Sequence, residues 1–502
     1  MRLLSAIAAA SLLASCALGR ASDRPAPAQP GAPAEPPPEQ VVFADSSAPA
    51  AGADGTQAHP FRTLASALAA VRPPATVRLA VGLYLGEAVV PGDVRIEGER
   101  TAVIYAGGTG TTLRLEDGAS LHGLTVQGGA VGAEVKGAVR IEEVAFSGQR
   151  QRAIAVSDHG ALALIDADIE GTVSETRGVV LEEGARAEVT GGRFHGGLRI
   201  GVEAKAGTSL RVDHAVFDGP VVALKADRSD LAATGLRISG GRGPAISLSG
   251  TRASLRDIVI HGHEYGLLAN AGAVLDVRDF TTVRAERAGI GGVEVRGEID
   301  GLVALDSGNF GAVQLISSTA TVRRFIIARA QNAGISVNGG DVTLIDGSIV
   351  DVSDPADAEG DGVSVRHAGL RGTALTEARV SGTGVLAAEA SRVAVAEAAI
   401  ASARYGGLHA ETRARLDAVS AIVRGGGNAA LVVLHDARLR ADALETAQNA
   451  QGLLWAECGA GAEVWLGRVR GAEAHAVHAA CAGRWLRPAL LDPFATEQPD
   501  EE

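Results

Sequence analysis

The chain has 502 residues and a formal net charge of −13, from 46 lysines and arginines against 59 aspartates and glutamates. Hydrophobic residues make up 46% of the chain, which excludes a disordered polymer. Aromatic residues supply only 3%, too few for several ordinary globular cores, and the negative charge argues against nucleic acid as a partner.

The first segment of the chain predicts export. Arg2 precedes an apolar stretch over residues 3–14, which is too short to span a bilayer as a mature helix. No later segment has the 18 uncharged apolar residues that a membrane-spanning helix needs. We therefore expect an exported protein without a membrane-spanning helix.

The end of this segment, LASC with its cysteine at Cys16, resembles the lipobox of bacterial lipoproteins. The resemblance implies that residues 1–15 are removed as a lipoprotein signal peptide and that Cys16 carries the lipid. Ala17 follows in place of aspartate, which implies the outer membrane, on its periplasmic or surface face. An ordinary signal peptide with a chance cysteine is the alternative.

A linker is predicted at residues 16–40. Seven prolines fall between residues 25 and 38, with alanine, glycine and glutamine among them. Such a composition favours extended polyproline conformations and cannot close a core. We interpret this segment as a spacer between the lipid anchor and the folded body.

A repeat of about 22 residues runs through the rest of the chain. In each unit a small residue precedes an apolar-x-apolar segment, and a turn and a second such segment lead to a final apolar residue. Successive final residues are 20–25 positions apart in all intervals except one, the 31-residue step from Ile349 to Val380. The final residues are Val126, Phe146, Ile169, Phe194, Phe217, Ile238, Ile260, Thr282, Leu305, Ile327, Ile349, Val380, Ile400, Ile422, Leu444 and Val469.

Short runs of alternating apolar residues predict strands with one buried face, and the glycines between them predict tight turns. Propeller blades and helical repeats need units of roughly 33–50 residues, and the leucine-rich repeat consensus is missing. We therefore predict an all-β fold, a right-handed parallel β-helix of about 17 coils, roughly 80 Å long and monomeric.

The start of the body supports this architecture, because residues 54–99 resemble the N-terminal segment of pectin-lyase-like parallel β-helix proteins. The resemblance implies that a helix at about residues 64–71 covers the open end of the first coil and its strand edges. It implies a β-helix domain at 41–487 with an N-terminal cap at 41–99. It implies no activity, because the fold hosts lyases, hydrolases, epimerases and non-enzymes. The matching features are Asp54-Gly55-Thr56, Pro60-Phe61-Arg62-Thr63-Leu64, the helix, and the strand-turn run from Val77 to Tyr84.

A second cap is predicted at residues 452–487, before an acidic tail at 488–502. Cys458 and Cys481 stand at equivalent positions of neighbouring coils, which stack at ~4.8 Å, within reach of a disulfide. Since exported proteins meet an oxidising compartment, we predict a Cys458–Cys481 disulfide, with two buried free thiols as the alternative. The tryptophans are expected to fill the end of the last coil, or else to form a sugar-stacking platform. They are Trp455, Trp465 and Trp485.

Catalytic motifs of polysaccharide-cleaving β-helix enzymes are missing from the sequence. The N-T-D and R-I-K motifs of polygalacturonase-type hydrolases, an Asp-Asp pair and the D-P-H motif of alginate-type epimerases do not occur. His263, within the triplet GHE, only partly matches their G-H-G motif. His159 and His214 each follow an aspartate, but at different offsets in the repeat, so we expect solvated turn residues.

The long interval after Ile349 contains an acidic loop. Its carboxylates would repel one another unless they are solvated or bound to a cation, and their spacing matches the first half of an EF-hand loop. Ala368 stands where the closing glutamate should be, so both a solvated loop and a Ca²⁺ site stay open; we expect no other cofactor. The candidate ligands are Asp351, Asp354, Asp357, Glu359 and Asp361.

These features favour a lipid-anchored cell-envelope protein whose rod is a non-catalytic surface for a glycan or a protein partner. The alternative is a polysaccharide-modifying enzyme, a lyase, hydrolase or epimerase, with unfamiliar catalytic residues. A mostly structural rod is a third interpretation. The membrane is an expected partner through the lipid anchor, and nucleic acid is not.

Overall fold

The computed structural model describes residues 39–353, 360–457, 462–471 and 477–479. Nearly all of these residues belong to a parallel β-solenoid of about 17 turns, with a single α-helix near its start. The predicted all-β solenoid is thereby confirmed. No helix among the described residues is long and apolar enough to cross a membrane. The predicted signal peptide, Cys16 and the proline-rich part of the predicted linker lie outside these residues.

Each coil contributes strands to three parallel rows, which we number by their order within the coil. In the coil that begins at Ala333, Ile335 lies in row 1, Val342 in row 2 and Ile349 in row 3. Each strand pairs in parallel with its equivalent in the next coil, as Val313 does with Ile335. Inward and outward side chains alternate, so the buried residues form a continuous core along the axis.

The strand bounds follow these rows, and several strands continue from one row into the next. The strands of row 1 alone are Ala88–Val90, Thr111–Leu115, Val131–Val135, Arg152–Val156, Arg177–Leu181, Ile200–Ala204, Val222–Asp227, Ile246–Ser249, Tyr265–Asn270, Ala288–Val293, Asp361–Arg366, Thr383–Ala388, Gly406–Ala410, Leu431–Leu434, Leu454–Glu457 and Val477–Ala479. Those of row 2 alone are Gln40–Ala44, Ala75–Leu79, Val94–Glu97, Ser120–His122, Ala138–Glu142, Ala161–Ile165, Arg186–Thr190, Ser209–Asp213, Asp230–Thr234 and Arg415–Ala418. Those of row 3 alone are Gly82–Leu85, Ala102–Ala106, Thr125–Gly128, Ala145–Ser147, Asp168–Gly171, Arg193–Gly196, Val216–Asp218, Arg237–Ser239 and Ala421–Arg424. Strands through rows 2 and 3 are Arg252–His261, Val274–Val283, Arg296–Leu305, Gly369–Val380, Arg392–Ala403, Arg438–Ala447 and Glu463–Arg470, and those through all rows are Val313–Ala328 and Ala333–Val352.

The corner between rows 2 and 3 is one residue with a left-handed backbone. The sequence predicts glycine at such turns, yet several coils place a charged residue there, such as Asp279 (φ 51°), Arg324 (φ 50°) and Asp346 (φ 55°). Aspartate tolerates this conformation better than most residues, and here it also directs its side chain outward. Charged side chains therefore line the edges of the rows.

Most predicted final residues of the repeat pair with one another from coil to coil, from Val126 to Ile349, and form one buried column in row 3. In one coil the column position is taken by Ala304 and not by the predicted Leu305. Leu305 and Ile422 stand one residue away from this column, a shift that turns a side chain to the outer face. These two assignments were wrong because both residues are apolar although they point outward.

The coil after the acidic loop departs most from the predicted repeat. Ile349 pairs with Glu377, whereas the predicted Val380 pairs with Val352, three positions further on. Glu377 therefore occupies a column position that both neighbouring coils fill with isoleucine, Ile349 and Ile400. A search for apolar residues passes over this position. Leu444 and Val469 are the predicted final residues of two later coils. Each lies two residues before the column, at the preceding inward-facing position of row 3.

The N-terminal helix spans Leu64–Ala70, as the sequence predicts. Thr63 caps it, since its hydroxyl oxygen accepts a hydrogen bond from the Ser66 N–H at 3.1 Å. Leu64 and Ala67 are buried, and the helix packs on the strands Gln40–Ala44 and Ala75–Leu79. The helix thus contacts the first strands of the solenoid, where a cap is expected.

Candidate functional site

The outer face of row 2 carries arginines in most coils, and acidic neighbours neutralise many of them. Alternate residues of a strand point to the same face, so a pair such as Arg440 and Asp442 lies side by side, 2.7 Å apart. Asp276 accepts contacts from Arg278 of its own strand at 3.1 Å and from Arg256 of the preceding coil at 2.9 Å. Such exposed pairs add little stability, but they leave little net charge.

A groove on this face has a different composition. It has a volume of about 1150 Å³, extends from the coil of Asp341 to that of Arg438, and has the corner between rows 1 and 2 as one wall. Arg371, Arg392 and Arg413 line it and are exposed. Among the residues that the structure describes, these three guanidinium groups have no ion pair and no hydrogen bond.

Arg392 also belongs to a column of arginines that follows the solenoid axis. Arg392, Arg415 and Arg438 are in register on successive coils, so their side chains start ~4.8 Å apart. Arg415 is neutralised by Asp417 at 2.8 Å, and Arg438 contacts Glu463 at 3.3 Å. The groove as a whole is lined by five arginines against three aspartates, so it is positive on a protein of net charge −13. An anion bound there would relieve the repulsion.

An aromatic ring stands one coil beyond the groove. Trp465 is in register with Arg440, whose guanidinium carbon lies 4.2 Å from the centroid of the indole ring. Trp455 and Trp465 both alternate with buried neighbours and are half-buried on the outer faces of rows 1 and 2. Strand alternation turns both side chains outward from the interior of their own coils; Trp485 lies outside the described residues, and the C-terminal cap stays a prediction.

The predicted calcium ligands are only partly described. Asp351 binds Arg379 through both oxygens, at 2.5 and 3.0 Å, and this hydrogen bonding holds the pKa of Asp351 below its usual value. Asp361 accepts a hydrogen bond from the Thr383 N–H at 3.0 Å. Among the described residues, no group of three potential metal ligands occurs. Asp354, Asp357 and Glu359 lie outside them, so the calcium site stays a prediction.

The predicted disulfide also lies outside the described residues, since neither Cys458 nor Cys481 belongs to them. The strands that precede the two cysteines pair in register, with Ala456 opposite Ala479. Each of these alanines stands two residues before its cysteine. The pairing is consistent with equivalent positions, and the disulfide stays a prediction.

The histidines of the partial motifs have structural positions. His159 and His214 lie at corners, with φ of 60° and 57°, as expected for turn residues. His263 is buried; its Nε2 accepts a hydrogen bond from the Gly241 N–H at 3.2 Å, and its Nδ1 lies 3.1 Å from the Gly243 carbonyl oxygen, to which it donates. The neutral ring thus satisfies two backbone groups of the preceding coil.

We expect His263→Ala to lower the free energy of unfolding by roughly 2–4 kcal/mol, because it opens a cavity and leaves both backbone groups without a partner. Burial lowers the pKa of His263 from 6.5, so its contribution is present above that pH and is lost as the unfolded chain takes up a proton below it. Urea unfolding at pH 8 and pH 5 measures both effects. His261→Ala, at an exposed position two residues earlier, is the control; equal losses in the two variants would contradict the assignment.

One polar cluster on row 3 has no counterpart in the sequence motifs. His195 Nε2 lies 3.0 Å from Asp168 Oδ1, and Arg100 contacts the other carboxylate oxygen at 3.2 Å. Glu170 is in register beside His195 and is exposed. A histidine oriented by a carboxylate is an arrangement that can exchange protons with a ligand. Motif searches miss it because its residues come from three different coils.

Sequence reasoning also missed the arginine groove. The unpaired arginines follow one another at 21 positions and those of the column at 23, and single arginines in a sequence look like solubilising surface charges. The signal that could have found it is the repetition of arginine at one offset of three successive units, Arg392, Arg415 and Arg438.

No protein-family model matches the chain, and no curated protein is similar to it in sequence. Among solved structures, the chain is similar to the pre-mature gene product 12 of bacteriophage phi29, with a TM-score of 0.29 and 10% identity over 80% of this chain and 68% of that one. It is similar to a PL6-family alginate lyase, with a TM-score of 0.24 and 9% identity over 84% and 96%. It is also similar to the A-module of a mannuronan C-5 epimerase from Azotobacter vinelandii, with a TM-score of 0.21 and 14% identity over 84% and 99%.

Proposed function

We propose that this protein is a lipid-anchored, non-catalytic binding protein of the cell envelope, and that it holds a negatively charged polysaccharide in the arginine groove of row 2. The observation that carries the proposal is the group of exposed guanidiniums without ion pairs, Arg371, Arg392 and Arg413, in one groove. Guanidinium groups bind carboxylates bidentately and stay charged at every physiological pH. A uronate polymer supplies such carboxylates.

The geometry favours a linear polymer over a small anion. The three unpaired arginines come one from each of three successive coils along the solenoid axis, so a polymer of regularly spaced carboxylates can meet several guanidiniums at once. Trp465, at the end of this line and under Arg440, offers an apolar ring face next to the cations. Several weak contacts along one polymer then add up to useful affinity.

The membrane part of the proposal rests on the sequence alone. Residues 1–15 as signal peptide, Cys16 as the lipidated residue and 16–40 as spacer would place the solenoid at the outer membrane. Metabolic labelling with a palmitate analogue tests this step, since Cys16→Ser should abolish the label. That outcome is independent of the groove.

We expect Arg371→Ala/Arg392→Ala/Arg413→Ala to weaken binding of polygalacturonate or alginate at least tenfold at low salt, because it removes three charge-assisted contacts of roughly 1 kcal/mol or more each. Isothermal titration measures the affinity, and neutral dextran should not bind. Affinity should fall with added salt, since the attraction is electrostatic.

The matched control replaces three other row 2 arginines that also lack an ion pair in the described part of the chain but are spread along the rod. They are Arg186, Arg252 and Arg296. If this control loses as much affinity as the groove variant, or if the unmodified protein binds none of the acidic polymers, the groove is not the binding site.

The polysaccharide-modifying enzyme is the second candidate, and the His195–Asp168 pair is the observation that favours it. The same polymers, incubated with the protein and assayed for new reducing ends and for unsaturated product, separate the two functions. Turnover that His195→Ala abolishes would establish the enzyme; binding without product supports the non-catalytic function.

A further inference from the structure

The outer face of row 3 is uncharged and mostly apolar in the middle of the solenoid, with Thr281, Ser348 and Thr376 as its polar members. In the six coils from Thr281 to Ala401, none of the outward side chains of row 3 carries a charge. We call this surface the apolar face. Ile326 is its most exposed large side chain, at 52%. Contiguous exposed apolar surface of this kind marks an interaction site in soluble proteins.

Charged corner residues border the apolar face on both sides. On the side toward row 1, arginine and aspartate alternate on successive coils, and two ion pairs join them, Asp306 with Arg329 and Asp351 with Arg379, each at 2.5 Å. On the side toward row 2, Arg324 is followed one coil later by Asp346. An apolar centre with a polar rim is the usual anatomy of a protein interface.

One two-fold rotation brings opposite charges of this border together when two copies of the chain face each other. A two-fold axis parallel to the strands, between the coils of Ile326 and Ser348, runs two copies of the rod antiparallel. It sets Arg329 opposite the partner's Asp351, and Asp306 opposite the partner's Arg379. On the other border it sets Arg324 opposite the partner's Asp346. One facing pair, Asp279 and Glu397, has like charges.

The same axis also matches side-chain sizes. It passes through the centre of the six coils, where most outward residues of the first half are larger than those they face in the second, with the reverse at Ala328 and Val350. Ile326 faces the partner's Ser348, Leu305 faces the partner's Ala378, and Val283 faces the partner's Ala401. Two flat sheets can approach closely where large side chains meet small ones.

We propose that the apolar face binds a second copy of this chain in an antiparallel, two-fold symmetric dimer. The face is about 30 Å long and, with its borders, roughly 20 Å wide, so the dimer buries on the order of 1,200 Å² in total, at the lower end of stable interfaces. This dimer replaces the monomer expected from the sequence. It leaves the row 2 groove open on each copy, and the linker predicted at 16–40, if extended over roughly 75 Å, would let both copies share one membrane.

Sedimentation of the full-length protein in detergent tests the dimer. We expect a concentration-dependent monomer–dimer equilibrium, and Ile326→Asp should weaken it at least tenfold by placing a charge in the apolar centre. Leu85→Asp is the matched control, since Leu85 is an exposed row 3 residue, at 71%, far from the apolar face. A monomer at every concentration would overturn the proposal and assign the face to another occupant.

A crosslinking experiment tests the register. Val303 lies opposite the partner's Thr376, whereas the two copies of Val303 start about 14 Å apart along the axis, three coil spacings. A mixture of Val303→Cys and Thr376→Cys chains should therefore give a dimer band with a short bis-maleimide, and each variant alone should not. A dimer band from Val303→Cys alone would overturn the antiparallel register, with the unmodified chain as the control for native cysteines.

Discussion

Glu377→Ile is expected to raise the free energy of unfolding by several kcal/mol above pH 8 and to remove most of the alkaline loss of stability. Glu377 is fully buried, and neither of its carboxylate oxygens has a hydrogen-bond partner in the described structure. Burial, and next to it the charge of Asp361, raises the pKa of Glu377 to about 8. The folded protein therefore holds a protonated acid in its apolar core.

The sign of the pH dependence follows from this raised pKa. Below pH 4.5 the carboxyl is protonated in both states, so its ionisation adds no pH-dependent loss of stability, although the buried polar group keeps its desolvation cost. Between pH 4.5 and 8 the unfolded chain releases the proton and the folded chain keeps it, so stability falls by roughly 1.4 kcal/mol per pH unit. Above about pH 8 the loss is complete and constant.

Isoleucine fits at residue 377 because both neighbouring coils place an isoleucine against a glycine at the equivalent position. A β-carbon built on Gly334 would stand 2.6 Å from Ile349, and one on Gly384 would stand 2.7 Å from Ile400; Gly362 leaves the same space for Glu377. Urea unfolding between pH 4 and 9 measures the effect. Glu377→Gln removes only the charge, and exposed Glu170→Gln is the control. An unchanged pH profile in Glu377→Ile would refute the explanation.

Gly347→Leu is expected to lower the free energy of unfolding by about 3 kcal/mol, at the upper end of the usual cost of overpacking a filled core. Gly347 is in register with Phe325 of the preceding coil, and a β-carbon at residue 347 would overlap the Phe325 ring. The phenylalanine thus fills the space of two coils. At the equivalent position of most other coils, two neighbouring side chains divide this space more evenly, as Phe280 and Leu302 do.

A compensating variant makes this prediction specific. Phe325→Ala alone should cost roughly 3–5 kcal/mol through a cavity, but combined with Gly347→Leu it should recover a large part of the loss, because the leucine then occupies the vacated space. Thermal and urea unfolding of the two single variants and the double variant form the cycle. Strictly additive losses would show that the two residues do not share one space.

The resemblance to β-helix proteins and the 22-residue period predicted the architecture because both reside in local sequence. The period sets which residues point inward, and the N-terminal helix has its capping threonine and apolar stripe within eight residues. Errors arose where a local pattern misleads. Leu305 and Ile422 are apolar but outward, and Glu377 is acidic but inward, so hydropathy alone assigned them to the wrong faces.

The site depended on contacts that no local pattern contains. Whether an arginine is neutralised depends on its neighbours in other coils: Arg256 meets Asp276, whereas Arg392 meets Arg415. The register after the acidic loop also depends on pairing between coils, because Glu377 and not Val380 stands opposite Ile349. Only the paired structure fixes that shift.

The sequence by itself therefore determined the solenoid, its period and its N-terminal cap, and through composition it accounted for a core with few aromatic residues. The tertiary structure decided which outward side chains stand together: the unpaired arginines of the row 2 groove, the His195–Asp168 pair and the apolar face with its alternating border. The physical reason is that inward residues are selected by a hydrophobic effect that each strand expresses alone. Outward partners lie about 22 residues apart and meet only after the coils have stacked in register.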